Sequence, residues 1–316
     1  MALDLIIFIV SLGTLLVASK YFTLAAERIG LSLKMSPFMV GVVIVAIGTS
    51  LPELISGIFA SLEGKPEIVI GNIIGAHVSN IFFVLGITTL VSKKSIRLGE
   101  EYIFIDLHFM LGSATMLVLF LFDGLITWAE GLILIIGFVV YQFYLFRSEK
   151  PKAMHTINDE DILKQQKKFH GRDFAVIAVS AAFVFLGAKF TISSVVDIAT
   201  IMGINEALIG LTVMSFGTTL PELAVSISAA RAGKPEMAVG NILGSCIFNV
   251  FAVGGIASII HPISLPAELH NISISFLIVA SVFFYLLSQD KKVSRFEGML
   301  FLLFYLIFLL KITHII

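Results

Sequence analysis

Apolar residues run through the chain in long stretches, each closed by a short cluster of Gly, Pro or charged residues. A helix that crosses a bilayer needs ~20 mostly apolar residues. On that measure the sequence predicts ten spans, near residues 4–28, 38–62, 67–91, 102–122, 125–147, 173–199, 206–231, 236–260, 271–288 and 297–315. Between the fifth and sixth runs lies a polar stretch, 148–171, containing EKPK, NDED and KQQKK. It is too charged to bury and too short to be a domain, so a loop is expected. The opening MALDLIIFIV has an acid where a secretory leader has basic residues, and no cleavage site is evident. It is read as the first span rather than a removed targeting segment.

Composition makes lipid the solvent for most of the chain. Of 316 residues, 58% are hydrophobic and 14% charged, against a usual ~45–50% and ~25%. With 28 Phe and a mean hydropathy of +1.01, there is too little polar surface to cover a water-soluble globule. The bilayer is therefore the expected partner, and no obligate protein partner is implied. A net charge of −1 gives no field to recruit nucleic acid. The one cysteine, Cys246, excludes an intrachain disulfide and a cysteine-rich metal centre. No Ser/His/Asp or His-rich arrangement suggests an enzyme, and nothing calls for a cofactor. Basic residues crowd the odd-numbered connections: Lys34, then Lys93, Lys94 and Arg97, the central loop, Arg231 and Lys234, then Lys291, Lys292 and Arg295. The even connections hold Lys65 and little else. The positive-inside rule then puts the odd loops in the cytoplasm and both termini outside a cell membrane.

The chain also repeats itself. Residues 41–87 align without a gap on residues 210–256, with 22 identities in 47 positions at an offset of 169. The identities fall on Gly, Thr, Pro, Glu, Lys and Asn as well as on aliphatic residues, so shared hydrophobicity does not account for them. The same offset pairs Lys20 with Lys189, in positions suited to bonding carbonyls or to snorkelling toward an interface. Five spans per copy is an odd number, so the copies are expected in opposite orientations, as in many transporters. The expected fold is an all-α polytopic membrane protein of ten transmembrane helices in two inverted five-helix repeats. Its units would be residues 1–147, the cytoplasmic loop 148–171, and residues 172–316.

Each copy interrupts its own second helix with polar chemistry. The first reads Gly48-Thr49-Ser50-Leu51-Pro52-Glu53 and the second Gly217-Thr218-Thr219-Leu220-Pro221-Glu222. Proline lacks an N–H and clashes with the carbonyl four residues earlier. Helix breaks are therefore expected, with carbonyls near Thr49 and Thr218 freed to bind something else. Glu53 and Glu222 fall mid-span, where an ionised carboxylate costs at least a few kcal/mol. The following helices carry Gly71-Asn72, Gly75 and Asn80, and Gly240-Asn241, Gly244, Ser245 and Asn249. Ala76 and Asn80, like Ser245 and Asn249, are four apart and share a face. Asn72 and Asn241 either line the same path or bond across helices. Two carboxylates, two amides, freed carbonyls and the hydroxyls of Thr49, Ser50, Thr218, Thr219 and Ser245 make an all-oxygen shell for a hard cation. Its size favours Ca2+, which takes ~6–8 oxygens, over Mg2+. His77 is read as a polar residue packed between helices or as a proton-linked group.

These motifs, GTSLPE and GTTLPE with the GN…G…N segments that follow, closely resemble the two α-repeats of the cation/Ca2+ exchanger superfamily, in its Na+/Ca2+ exchanger branch. The resemblance covers the whole chain. It implies a secondary antiporter exchanging Na+ for Ca2+ by alternating access, the first and sixth spans sliding as a pair against the other eight. It further implies Glu53 and Glu222 as principal Ca2+ ligands with the Thr49 and Thr218 carbonyls, and Asn80 and Asn249 facing the central sites. Ser50, Thr219 and Ser245 would serve Na+. A H+-coupled or K+-dependent antiporter on the same fold is the alternative. Three positions depart from common family usage: Ala76 where a serine is frequent, Asn249 where some relatives have aspartate, and Lys20 where an acid is frequent.

Overall fold

The computed structural model describes residues 2–33, 35–64, 66–92, 95–97, 106–148, 171–202, 217, 219–265 and 267–312. Among them the chain forms ten helical segments. They are α1 (Ala2–Ser32), α2 (Pro37–Leu62), α3 (Pro66–Val91), α4 (Asp106–Phe120), α5 (Trp128–Ser148), α6 (Gly171–Ile201), α7 (Leu220–Arg231), α8 (Pro235–Ile260), α9 (Ala267–Leu287) and α10 (Arg295–Ile312). The protein is a helical polytopic membrane protein. Seven helices, α1, α2, α3, α5, α6, α8 and α9, are long and apolar enough to cross a bilayer on their own composition. The other three fall short for separate reasons. α4 has 15 described residues and α7 has 12, while α10 carries Arg295, Glu297 and Lys311 within its 18.

Burial sets the layers. In α8, 89% of the most apolar window is buried, and in α3 72%, so these two helices form the centre. α1 and α6 bury only 28% of theirs and lie at the periphery. At 31 residues each, and ~1.5 Å per residue, these two helices exceed the ~30 Å hydrocarbon thickness and must tilt or project. They pack antiparallel along each other: Thr191 Oγ1 bonds Ser11 Oγ at 3.0 Å, and Gly187 lies against the Leu15 backbone. At one end Arg28 pairs with Asp173 at 2.8 Å and Lys234, at the start of α8, with Glu27 at 2.6 Å. Lys20 and Lys189 are exposed on these outer helices, which suits snorkelling and not a role inside the core.

Two short antiparallel ladders tie the connections together. β1 (Ile96–Arg97) pairs with β4 (Lys292–Val293), and β2 (Leu125–Ile126) with β3 (Ile263–Ser264). The connection after α3 thus meets the one after α9, and the connection after α4 meets the one after α8. Aromatic rings seal α3 against α9 and α10, with Phe82 stacked on Phe304 at 5.4 Å and Phe283 4.8 Å from the same ring.

One expectation is not met in the first copy. α2 runs as a helix straight through Pro52, because a membrane helix can absorb one missing N–H when its neighbours cover the freed carbonyl. In the second copy a helix begins at Leu220, with Thr219 as its cap and Pro221 in the first turn, where a missing N–H carries no penalty.

Candidate functional site

The eight candidate residues that the structure describes come from α2, α3, α7 and α8, and none is more than 3% exposed. They are Thr49, Ser50, Glu53, Asn80, Thr219, Glu222, Ser245 and Asn249. Thr218 lies outside the described residues. So many buried polar groups at the centre of an apolar protein must be satisfied by one another or by something bound.

Part of the set satisfies itself. Ser50 Oγ donates to Glu222 Oε1 at 3.1 Å and lies 2.9 Å from Ser245 Oγ. A hydroxyl has one proton to give, so both bonds hold when Ser245 donates to Ser50 and Ser50 to Glu222. This relay joins the GTSLPE segment of α2 to both site helices of the second copy. Glu53 and Glu222 lie within electrostatic range and repel when both are ionised.

The rest is unsatisfied. Glu53 Oε2, Glu222 Oε2, Asn80 Oδ1 and Asn249 Oδ1 are buried with no hydrogen-bond partner. An orphaned buried acceptor costs ~1–3 kcal/mol, and more when charged. Asn80 Nδ2, a donor, and Asn72 Oδ1 are also buried without a partner, so the unpartnered carboxylate and amide atoms are mostly acceptors. A cation near the carboxylates would relieve their repulsion and give such acceptors a partner.

The asparagines are presented by a feature that the sequence did not signal. α3 is π-helical over Ser79–Val84 and α8 over Asn249–Val253, with Leu85 N–H bonding Asn80 O and Gly254 N–H bonding Asn249 O. Both are five-residue steps from equivalent asparagines. A π turn inserts one residue into the helix and re-aims the side chains around it, which is why such turns recur at functional sites. The α3 π turn packs on α7 and α8, and the α8 π turn on α2 and α3, so each asparagine comes from a helix lying against the other copy's glutamate helix.

Asn241 turns out to be a tie between helices. Its Oδ1 accepts from Thr49 Oγ1 at 3.1 Å, and its Nδ2 donates to Ser226 Oγ at 3.0 Å and to the Glu222 carbonyl at 3.4 Å. It therefore fixes α2 to α7 directly beside the carboxylates. Its equivalent Asn72 is only half-buried, and Gly57 stands where Ser226 would be. Replacing Asn241 with Leu strands the Ser226 hydroxyl, leaves Thr49 only the Val45 and Ala46 carbonyls of its own helix, and frees Glu222 to shift. The expected result is a half-saturating Ca2+ concentration raised about tenfold, equivalent to ~1.4 kcal/mol, in protein that still elutes as a single species. Asn72→Leu should change it less, and radiotracer uptake on both variants checks the ranking.

His77 and Cys246 occupy equivalent positions and meet each other, the thiol lying 4.0 Å from the His77 carbonyl oxygen. Both are fully buried, and His77 Nε2 shares a 2.9 Å hydrogen bond with Ser281 Oγ. That bond fits the packed role. The thiol also lies within electrostatic reach of Glu222, so reagents reach it only when the protein opens. Its labelling rate with a small thiol reagent should change at least severalfold between Ca2+-saturated and ion-free protein. Equal rates would place Cys246 away from any moving part.

The chain is matched over residues 3–147 and 173–313 by the sodium/calcium exchanger protein family. An uncharacterized membrane protein of Methanocaldococcus jannaschii is 31% identical over 95% of both chains. A sodium/calcium exchanger of Methanosarcina acetivorans, MaX1, is 28% identical over 99% of both. Among solved structures, the sodium-calcium exchanger NCX_Mj soaked with Na+ and Sr2+ superposes with a TM-score of 0.81 at 28% identity, covering 96% of this chain and 97% of that one.

Proposed function

This chain belongs to the sodium/calcium exchanger protein family, and from that premise we propose that it is a secondary antiporter exchanging Na+ for Ca2+ by alternating access. The family transports these ions without a cofactor, and its members are transporters rather than enzymes. One observation carries the reading here: acceptor oxygens on Glu53, Asn80, Glu222 and Asn249 are buried without a hydrogen-bond partner on four helices, α2, α3, α7 and α8, that pack on one another. Glu53 and Glu222 neutralise one Ca2+, with Asn80, Asn249 and the backbone near Thr49 and Thr218 completing its shell. Ser50, Thr219 and Ser245 supply neutral oxygens for Na+ when Ca2+ has left.

We read the architecture as ten spans in two inverted repeats, residues 1–147 and 172–316, joined by a loop at 148–171. The strand pairings support this. β3 and β4 follow β1 and β2 at a common spacing of 167, and exchanging each strand for its equivalent converts one ladder into the other. A pseudo-twofold axis between inverted copies has that consequence, and it also brings His77 to Cys246. In this reading both termini face outward across a cell membrane. Lys234, Arg28 and the basic loop then lie on the cytoplasmic side.

Proteoliposomes loaded with Na+ should accumulate radiolabelled Ca2+ against a Na+-free bath, with sigmoidal dependence on Na+. Ala76→Ser should lower the half-saturating Na+ concentration by adding back a hydroxyl beside Asn80. Acidification should inhibit, because a proton on either glutamate displaces both cations. Uptake driven as fast by a proton gradient without Na+ would overturn the Na+ assignment.

A further inference from the structure

A groove of about 670 Å³ runs between α1 and α6 on the outer surface, away from the cation site. That lies within the ~300–1,000 Å³ typical of ligand pockets. Its walls are apolar, formed by Gly13, Val17 and Tyr21 of α1 and Val176, Val179 and Phe183 of α6. Val17, Tyr21, Val179 and Phe183 are each about half exposed, so this surface meets lipid. The groove has one charged residue, Arg172, at the start of α6. Arg172 is exposed, and among the described residues it forms no ion pair, whereas its neighbour Asp173 is taken by Arg28.

The helix pairing fixes the length. Because Arg28 lies opposite Asp173, the fifteen residues from Gly13 to Arg28 measure the groove from its far end to the level of Arg172. At ~1.5 Å per residue this is about 22 Å. One leaflet contributes ~15 Å of hydrocarbon. The groove therefore reaches from the headgroup level beyond the bilayer midplane, long enough for one acyl chain. A lone guanidinium at its mouth stands where a lipid phosphate would lie, and basic pockets between helices bind acidic headgroups.

We propose that this groove is a site for one anionic phospholipid, an acyl chain lying between α1 and α6 and the headgroup phosphate paired with Arg172. The guanidinium offers a planar pair of donors to phosphate oxygens, and the walls, apolar apart from Thr14 and Ser180, suit a hydrocarbon tail. A neutral detergent or a zwitterionic lipid could fill the walls but would gain less from Arg172.

Two substitutions separate tail from headgroup. A Cβ at Gly13 would have nothing within 4 Å, so Gly13→Phe introduces a ring into the groove from an open position. Arg172→Gln removes only the exposed charge. Full-length protein reconstituted with equal phosphatidylglycerol and phosphatidylcholine, then released for native mass spectrometry, should retain one lipid. Phosphatidylglycerol should be favoured by about tenfold. Gly13→Phe should lose the bound lipid, and Arg172→Gln should keep one but lose the preference. No retained lipid, equal retention of the two lipids by the parent protein, or an unchanged preference in Arg172→Gln would overturn the site. Ion flux enters none of these readouts, so failure here leaves the exchange reading standing.

Discussion

Glu53→Gln and Glu222→Gln are each expected to abolish Ca2+ transport while raising the stability of the ion-free protein. The two effects have one cause. In the ion-free protein two buried carboxylates lie within electrostatic range of each other, each with an Oε2 that has no hydrogen-bond partner. Replacing either by an amide removes the like-charge repulsion, so the ion-free melting temperature should rise. The same change halves the charge that balances Ca2+. A hydrogen bond to a charged group is worth ~1.5–3 kcal/mol, and a direct bond from carboxylate to a divalent ion at least as much, so affinity should fall about a hundredfold or more. Saturating Ca2+ at ~100 times its dissociation constant stabilises a binding protein by ~2.7 kcal/mol, and that shift should vanish in both variants. The pairing of results discriminates: a misfolded variant also loses transport, but it does not melt higher. Near-normal uptake by either variant, or a retained Ca2+-dependent shift, would remove the carboxylates from the proposed site.

Much of this was legible in the sequence because hydrocarbon makes polar residues conspicuous. A glutamate in the middle of an apolar run, repeated 169 positions later beside the same Gly, Thr and Pro, has few uses other than charge balance. Seven of the ten expected spans also stand on composition alone. What stayed hidden depends on contacts between distant segments. The π turns holding Asn80 and Asn249 have no local code, since the extra residue is accommodated by neighbouring helices. Pro52 and Pro221 sit in matching motifs, yet one lies within a helix and the other opens one. Asn72 and Asn241 looked interchangeable until Ser226 and Gly57 distinguished their surroundings. The ladders joining β1 to β4 and β2 to β3 involve two residues per strand, too short for any alternation to announce them.

The second large effect is expected at the crossing of α2 and α8, where backbone touches backbone. A Cβ on Gly240 would lie 2.2 Å from the Phe38 carbonyl oxygen, and one on Gly41 would lie 2.2 Å from that of Met237. A Cβ on either glycine would also lie within 3.2 Å of the other's Cα. Four residues along α8, a Cβ on Gly244 would meet Ala46 Cβ at 2.6 Å and the Val42 carbonyl oxygen at 2.8 Å. Small residues spaced by four let membrane helices approach this closely, and dispersion between the backbones holds them there. Because the obstacles are backbone atoms, no rotamer change relieves the clash. Overpacking of this kind costs ~1–3 kcal/mol for a methyl group, so Gly240→Ala should lower the melting temperature by about 5 °C. Gly240→Leu should leave little monodisperse protein on size exclusion. Gly13→Ala, where a Cβ meets nothing within 4 Å, serves as the tolerated control. The crossing also bears on the site, since Ser245 follows Gly244 and bonds Ser50 one turn beyond Ala46. Gly244→Ala should therefore weaken Na+ activation beyond what its loss of stability accounts for, measured as half-saturating Na+ in the folded fraction. If Gly240→Leu folds and melts like the parent protein, the helices do not meet at this point.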